Sequence, residues 1–321
     1  IEYRGARADM AAVQAAYEAK LEPVFPRRAA GTQRGEALPM PQHSATVWPK
    51  PALRTARPVA VIPTFPGTNC EVDTARALER AGAEPRIVLI RNLTAEDIHR
   101  SVEAAQKAIE AAQMIVFPGG FSGGDEPDGS GKFITAFFRS PAMMQAVEGL
   151  LNRRDGLVLG ICNGFQALVK LGLLPYGRIL DTDETCPTLT FNRIGRHQSM
   201  LVRTRVLSNR SPWLQKCEVG DVHTVAISHG EGRFVCGDAQ LAAMAASGQI
   251  ATQYVGPDGQ ATMDERMNPN GSVWAVEGIT SPDGRVLGKM GHSERSGRGL
   301  YVNVPGNLYQ PLFEGGVEYF R

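Results

Sequence analysis

The sequence has no apolar stretch long enough to cross a bilayer, and its first residues lack the pattern of a secretory signal peptide. It also lacks an excess of charge of one sign, since 34 Lys and Arg residues face 33 Asp and Glu residues and the net charge is +1. Nucleic-acid binding favours a basic excess. We therefore expect a cytoplasmic protein with neither a membrane nor a nucleic acid as its partner.

Cysteine is scarce, and no two cysteines form a CxxC pair. Five cysteines, an odd number, argue against a disulfide framework and against a zinc site, so we expect no bound metal. Four of them are expected to be packing residues without chemistry: Cys70, Cys186, Cys217 and Cys236. The fifth, Cys162, has a different context.

Composition divides the chain into three regions. Residues 1–22 include a run of helix formers over 8–22 that ends before Pro23, and a single helix is predicted there. Residues 23–58 carry several prolines and little periodicity, which is typical of a tether. Residues 59–321 are expected to form the main domain. Because the chain begins at Ile1, we expect a fragment or a processed piece.

Apolar runs and amphipathic segments alternate through the first half of residues 59–321. Strands are predicted at "PVAVIPTF", "PRIVLIR", "QMIVFPGG" and 156–161, and helices at 71–81, 95–112 and 132–152. This alternation predicts a doubly wound α/β fold, with a mostly parallel sheet and helices on both faces. Over residues 180–290, alternating segments and Pro-Asp-Gly turns at 257–259 and 282–284 predict antiparallel additions, including the strand "RVLGKMGH".

Cys162 lies at the junction between the predicted strand at 157–161 and a predicted helix. Gly160 and Gly164 flank it at minus two and plus two, which is the pattern of a nucleophile elbow. The N-terminus of the following helix favours thiolate over thiol. Gln166 lies one helical turn further on the same face, where an amide could hold a substrate. A buried structural cysteine is the alternative.

A glycine-rich turn follows the third predicted strand, in "FPGGFSGGD" at 117–125. Ligands of open parallel sheets bind beyond the carboxyl ends of the strands, so backbone N–H groups here could stabilise an oxyanion. The same glycines could only make a turn, or could bind a phosphate. The segment matches neither G-x-G-x-x-G nor the Walker pattern, which argues against a nucleotide.

His292 and Glu294 follow the last predicted strand, in "KMGHSER". Residues two apart in an extended segment point the same way, so Glu294 could bind one imidazole nitrogen while the other faces Cys162. A structural histidine is the alternative. Four histidines have no such context and are expected on the surface or in loops: His43, His99, His197 and His223.

The elbow "GICNGFQ" and the late His292-Ser293-Glu294 together resemble the class I, triad-type glutamine amidotransferases, which have a flavodoxin-like fold. Within that family, "PGGFSGGD", "GICNGFQALVKLGLLP", "AISHGEGRF", "MNPNGS" and "GHSER" resemble the glutaminases of phosphoribosylformylglycinamidine synthases. The similarity runs from about Val59 to the C-terminus. Residues 1–57 would then be the helical end of an upstream synthetase domain and the connector to it.

The resemblance implies roles for individual residues. Cys162 is the expected nucleophile, His292 its base and Glu294 the acid that orients the base. The backbone N–H groups of Gly120 and Asn163 are the expected oxyanion hole. The expected contacts to L-glutamine are Gln166, Ser228, His229, Gly230 and Glu231, and His229 is also a rival candidate for the base.

The resemblance further implies that the ammonia is used by a synthetase part upstream in the same polypeptide, for ATP-dependent amidation of formylglycinamide ribonucleotide. ATP and Mg²⁺ are expected there, and no cofactor is expected in this chain. Many family members read Pro-His-Pro-Glu where this chain reads Gly291-His292-Ser293-Glu294, so fixed backbone angles are lost. The placement of His292 must therefore depend more on its neighbours.

Two other functions fit parts of the pattern. A cysteine hydrolase of the DJ-1-like kind would share the elbow, but would have no need for Gln166 or the His-x-Glu pair. A non-catalytic module that binds a synthetase would be expected to lose the cysteine, histidine or glutamate, whereas Cys162, His292 and Glu294 are all present.

Overall fold

The computed structural model describes residues 2–26, 37–124, 129–297 and 299–321. The strands within them are β1 (Glu2–Tyr3), β2 (Ala6–Arg7), β3 (Val59–Thr64), β4 (Glu84–Leu89), β5 (Met114–Phe117), β6 (Leu157–Ile161), β7 (Thr188–Phe191), β8 (Gln198–Val206), β9 (Val222–His229), β10 (Glu231–Val235), β11 (Ile250–Tyr254), β12 (Val276–Thr280) and β13 (Val286–Lys289). The α-helices are α1 (Met10–Ala19), α2 (Glu71–Ala81), α3 (Ala95–Glu110), α4 (Lys132–Phe138), α5 (Pro141–Glu148), α6 (Asn163–Lys170), α7 (Leu173–Tyr176), α8 (Asp238–Ala246) and α9 (Leu312–Tyr319).

The main sheet has nine strands in the order β4-β3-β5-β6-β13-β12-β11-β8-β9. Neighbours from β4 to β13 are parallel, and those from β13 to β9 are antiparallel. The chain passes from β3 to β4 through α2 and returns past β3 to β5 through α3. Because such crossovers are right-handed, α2 and α3 lie on opposite faces of the sheet. The predicted doubly wound α/β fold with antiparallel additions is confirmed.

The central strands of the parallel half are buried along their whole length. Every residue of β5 and β6 is buried, which explains why both read as continuous apolar runs rather than alternating ones. Helix α2 begins and ends at the residues predicted, with Glu71 and Asp73 in its first turn and Gly82 in the left-handed conformation at its end.

For one strand, the prediction covers only one of its two neighbours. The sequence predicts "RVLGKMGH" among the antiparallel additions, but β13 pairs in parallel with β6 as well as antiparallel with β12. The Pro-Asp-Gly turn at 282–284 explains the β12–β13 hairpin, whereas the β6–β13 pairing joins strands more than a hundred residues apart. The residues of a turn indicate that the two strands they join are neighbours, but they carry no information about β6, the other neighbour of β13.

The segment before β3 is described in part, since residues 27–36 of the predicted tether lie outside the described residues. Helix α1 lies within the predicted 8–22, is capped by the Asp9 side chain and buries none of its residues. Part of 37–58 packs on the domain, because the Trp48 indole N–H donates to the Asn209 carbonyl at 2.7 Å and the His43 ring contacts the Ala245 carbonyl at 2.8 Å. No helix in the described part of the chain is long and apolar enough to span a membrane.

Candidate active site

Cys162 occupies a strained turn between β6 and α6. Its φ of 52° and ψ of −106° lie in a region that non-glycine residues rarely adopt. The turn is possible because its glycines allow close contacts: a Cβ on Gly164 would lie 2.1 Å from the Phe117 carbonyl oxygen, and one on Gly160 would lie 2.7 Å from the Gly164 carbonyl carbon. The predicted elbow geometry is therefore present, with Cys162 4% exposed.

The parallel pairing of β6 with β13 brings His292 to this turn. In the register, Ile161 is opposite Lys289, and the Cys162 N–H donates to the Lys289 carbonyl at 2.9 Å. The chain continues from β13 to His292, whose N–H donates to the Ala226 carbonyl on β9 at 2.8 Å. Two segments distant in sequence thus end side by side at the carboxyl edge of the sheet.

His292 and Glu294 form a buried pair. Nδ1 of His292 lies 2.6 Å from Oε1 of Glu294, and both side chains are almost fully buried. Burial alone would lower the pKa of His292, but the Glu294 carboxylate and then the neighbouring Cys162 sulfur raise that pKa well above its ordinary value. The pair can therefore hold an imidazolium at neutral pH.

The imidazole ring and the Cys162 side chain flank the same glycine. A Cβ on Gly119 would lie 2.7 Å from Cε1 of His292 and 3.4 Å from Cβ of Cys162. Nε2 of His292 is buried and has no hydrogen-bond partner in the described part of the chain. Nδ1 is thus held by Glu294, whereas Nε2 can exchange a proton with a group bound beside Cys162.

The two residues predicted for an oxyanion hole both border Cys162. Gly120 follows β5 with a φ of 139°. The nearby backbone bonds run from the Phe121 N–H to the Gly67 carbonyl and from the Asn69 N–H to the Gly119 carbonyl, so neither uses the N–H of Gly120. Asn163 is the first residue of α6, and the N–H groups of a first helical turn point toward the helix N-terminus, where Cys162 lies.

A narrow cleft of about 10 Å³ opens beside Cys162. All five predicted glutamine contacts line it, together with Cys162 and Gly120, and among the described residues Phe121 and Ser130 line it as well. Phe121 and Ser130 were missed by the sequence analysis. Phe121 does lie inside the glycine-rich motif, which was the available signal for it.

The polar side chains of this cleft are themselves held by hydrogen bonds. The Gln166 side-chain amide donates to the Glu231 carbonyl, and its oxygen accepts from the Asn163 side chain at 3.1 Å. The Glu231 carboxylate accepts from the Ser130 N–H at 2.9 Å. The Ser228 carbonyl lies 3.8 Å from the Cys162 sulfur. These hydrogen bonds therefore connect three separate segments of the chain around the cleft.

His229 lies in the same cleft but has a different environment from His292. Its Nδ1 contacts the Asn192 side-chain oxygen at 3.2 Å, and its ring lies against Gly232, where a Cβ would come within 2.4 Å of it. Burial, aided by the charge of His292, lowers the pKa of His229 to about 3. No carboxylate of the described residues raises the pKa of this ring, which stays neutral. This difference favours His292 as the base.

One further side chain, that of Cys70, contacts the His292–Glu294 pair. The Cys70 sulfur lies 3.9 Å from Nδ1 of His292 and accepts a hydrogen bond from the Arg295 guanidinium at 3.0 Å. Cys70 was expected to be a packing residue only, because nothing in the sequence relates it to a histidine more than two hundred positions away.

Two groups of donor atoms lie within 4.8 Å of one another among the described residues: Cys70 with His292 and Glu294, and Cys217 with Asp221 and His223. The Arg295 cation at Cys70 opposes a metal in the first group. In the second, burial first and the Asp221 charge next raise the pKa of Cys217 to about 12, so its thiol stays protonated. The absence of a metal remains a prediction. His223 is fully buried on β9, so its expected surface or loop position was wrong.

Comparison with known proteins identifies the family of the chain. The family model described as the CobB/CobQ-like glutamine amidotransferase domain matches residues 57–320. The chain belongs to this amidotransferase family. Subunit PurQ of phosphoribosylformylglycinamidine synthase from Treponema denticola is 36% identical over 254 residues, which cover 75% of this chain and 88% of the relative. PurQ from Aquifex aeolicus is 34% identical over 72% of this chain and 88% of its own length.

A solved structure supports the same family assignment. A chain in the structure of PurLQS from Thermotoga maritima superimposes with a TM-score of 0.60 at 25% identity, covering 83% of this chain and 100% of that one. The predicted membership of the glutamine amidotransferases, and within them of the phosphoribosylformylglycinamidine synthase glutaminases, is confirmed.

Proposed function

We propose that the chain hydrolyses L-glutamine as the glutaminase of a phosphoribosylformylglycinamidine synthase, with Cys162, His292 and Glu294 as its catalytic triad. The observation that supports this most directly is the 2.6 Å bond between His292 and Glu294 beside the strained Cys162 turn. All five expected glutamine contacts line the cleft at the same sulfur.

In the first half-reaction, the Cys162 thiolate attacks the side-chain amide carbon of glutamine. The N–H groups of Gly120 and Asn163 bind the oxyanion that forms, an interaction whose loss typically costs about 100- to 1,000-fold in rate. The His292 imidazolium donates its Nε2 proton to the leaving nitrogen. The C–N bond breaks, ammonia departs, and a glutamyl thioester remains on Cys162.

In the second half-reaction, the now neutral His292 removes a proton from water. The hydroxide attacks the thioester carbon, the C–S bond breaks, and glutamate leaves with Cys162 as a thiolate and His292 again protonated. Glu294 keeps the ring in one orientation and stabilises its positive charge, which is why the 2.6 Å contact matters to both steps.

The ammonia is used by a synthetase part that binds ATP, Mg²⁺ and formylglycinamide ribonucleotide. We place that part upstream in the same polypeptide, with residues 1–22 as its helical end, and the whole enzyme in the cytoplasm. Helix α1, none of whose residues is buried, is consistent with a segment that packs against another domain.

The experiment is labelling by a glutamine analogue that carries a diazo-ketone, combined with glutaminase assays. The analogue is expected to add one equivalent to Cys162, as measured by mass spectrometry, and Cys162→Ala is expected to abolish both labelling and glutamine hydrolysis. Hydrolysis at the wild-type rate by Cys162→Ala contradicts the proposal. A thiol hydrolase for another substrate would leave Cys162 unlabelled by the analogue, and so would a non-catalytic module.

A further inference from the structure

A completely buried ion pair lies directly beneath the segment that carries His292. Nζ of Lys289 on β13 lies 3.4 Å from Oε1 of Glu277 on β12, and the two side chains are 1% and 0% exposed. Burying two charges is strongly unfavourable unless further hydrogen bonds compensate for the lost solvation. The partners of those further hydrogen bonds identify the segment of the chain that the ion pair holds in place.

Most of those bonds end on the residues on either side of His292. Nζ of Lys289 donates to the Gly291 carbonyl at 3.0 Å and to Oγ of Ser293 at 2.9 Å. Oε1 of Glu277 accepts from the Gly291 N–H at 2.6 Å. Three hydrogen bonds from one ion pair thus fix the backbone before His292 and the side chain after it.

The remaining polar groups of this network are also hydrogen-bonded. The Ser293 hydroxyl donates to the Gln310 side-chain oxygen at 2.6 Å, and the other Glu277 oxygen accepts from the Thr252 hydroxyl. The ion pair is therefore linked to β11 on one side and to the segment before α9 on the other. Its position is fixed independently of the histidine.

Gly291 fits this pair closely. A Cβ there would lie 2.9 Å from Oε1 of Glu277 and 3.1 Å from Nζ of Lys289, so the two charged groups fill the space that a side chain at this position would take. With glycine at 291 and serine at 293, no proline ring fixes the backbone angles around His292. The hydrogen bonds of the ion pair provide that constraint instead.

Lys289 also contacts the other half of the candidate triad, since its carbonyl accepts from the Cys162 N–H at 2.9 Å. One residue therefore binds the Cys162 turn through its backbone and the His292 segment through its side chain. A displacement of Lys289 would change the relation between the sulfur and the imidazole.

We propose that the Glu277–Lys289 ion pair is a positioning device that holds His292 opposite Cys162. The inference rests on the proposed glutaminase function and names Lys289 and Glu277 as positioning residues for that reaction. Neither lines the glutamine cleft, so their loss affects the proton transfer rather than substrate binding.

The test variant is the double substitution Glu277→Gln with Lys289→Met in the full chain. Replacing a whole buried ion pair with neutral groups of similar size is often neutral for stability, whereas the Nζ bonds to Gly291 and Ser293 are lost. We expect a melting temperature near that of the wild type, an unchanged KM for glutamine, and a kcat that falls by up to about 100-fold, as for small misplacements of catalytic groups. The kcat is normalised to the sites that the diazo-ketone analogue labels.

Gln249→Leu is the matched control. Its buried amide donates to the carbonyls of Pro175 at 2.9 Å and Thr280 at 3.0 Å, at the opposite end of β12, and its oxygen accepts from the Ser247 hydroxyl at 2.8 Å. The control therefore loses three side-chain hydrogen bonds without touching the His292 segment. We expect its kcat per labelled site to equal that of the wild type.

If the double variant does not fold, Ser293→Ala replaces it, because this change leaves the ion pair intact and removes one anchor. A smaller fall in kcat with unchanged KM is then expected. Wild-type kcat per labelled site in the folded double variant, or in Ser293→Ala used in its place, overturns the inference. If the wild-type chain itself neither hydrolyses glutamine nor is labelled at Cys162, the proposed function fails instead.

Discussion

The backbone N–H of Cys162 donates to the carbonyl of Lys289 at 2.9 Å, which joins the ends of β6 and β13 at one edge of the sheet. Because the strands are parallel, both chains leave the sheet in the same direction. The turn after β6 presents the sulfur, and the segment after β13 presents the imidazole.

Glu294→Gln is expected to lower kcat by about 100-fold or more, the usual contribution of a positioned acid–base group. Burial lowers the pKa of His292 and the Glu294 carboxylate raises it, so removing that charge lowers the pKa. The alkaline limb of the kcat/KM profile should therefore move to lower pH. An alkaline limb at the same pH as in the wild type would show that Glu294 does not control the pKa of His292.

Gly164→Ala is expected to disrupt the turn at Cys162. The new Cβ would lie 2.1 Å from the Phe117 carbonyl oxygen, a backbone atom of the buried strand end that cannot move aside as a flexible side chain could. Overpacking of this kind costs about 1–3 kcal/mol in the free energy of unfolding, and displacement of α6 should abolish labelling of Cys162. Gly237→Ala is the control, because nothing lies within 4 Å of its added Cβ and its φ is −67°. Equal melting temperatures and labelling in the two variants would contradict this prediction.

Gln166→Leu is expected to raise the KM for glutamine more than it lowers kcat. The substitution removes the amide that lines the cleft and leaves the Glu231 carbonyl and the Asn163 side chain without their bonds to it. Losing a partner of a buried polar group costs about 1–3 kcal/mol, so a lower melting temperature should accompany the change. Steady-state kinetics distinguish a role in substrate binding from a role in the chemical step. A fall in kcat with an unchanged KM would assign Gln166 to the chemical step.

His223 is expected to make the protein less stable in acid. Burial first, and the charge of Lys289 next, lower the pKa of His223 from 6.5 to about 4 in the folded state. The unfolded chain therefore binds more protons below pH 6.5, and stability falls as the pH drops from 6.5 toward 4, by about 1.4 kcal/mol per pH unit for this group.

Urea unfolding of the wild type and of His223→Gln between pH 7 and pH 4 measures this effect. His229, whose pKa is lowered to about 3, adds a slope of the same sign in both proteins. The difference between the two curves therefore isolates His223. Parallel curves would show that His223 does not become protonated on unfolding.

The sequence alone determined the local parts of the candidate site. The strand, the glycines at 160 and 164 and the helix after Cys162 follow from residues within a few positions of one another, and so does the pairing of His292 with Glu294. Helix α2 was placed to the residue for the same reason, because its cap and its apolar periodicity are local. Short-range patterns restrict the backbone directly.

Tertiary structure alone decided which of these parts meet. The pairing of β13 with β6, the contact of Cys70 with His292 and the buried Glu277–Lys289 pair all join residues that no local pattern relates. The apolar residues of β13 suit either kind of pairing, so only the packing of the complete sheet selects its neighbour. The sequence thus specified the chemical groups, and the long-range pairing of two strands specified the distance between them.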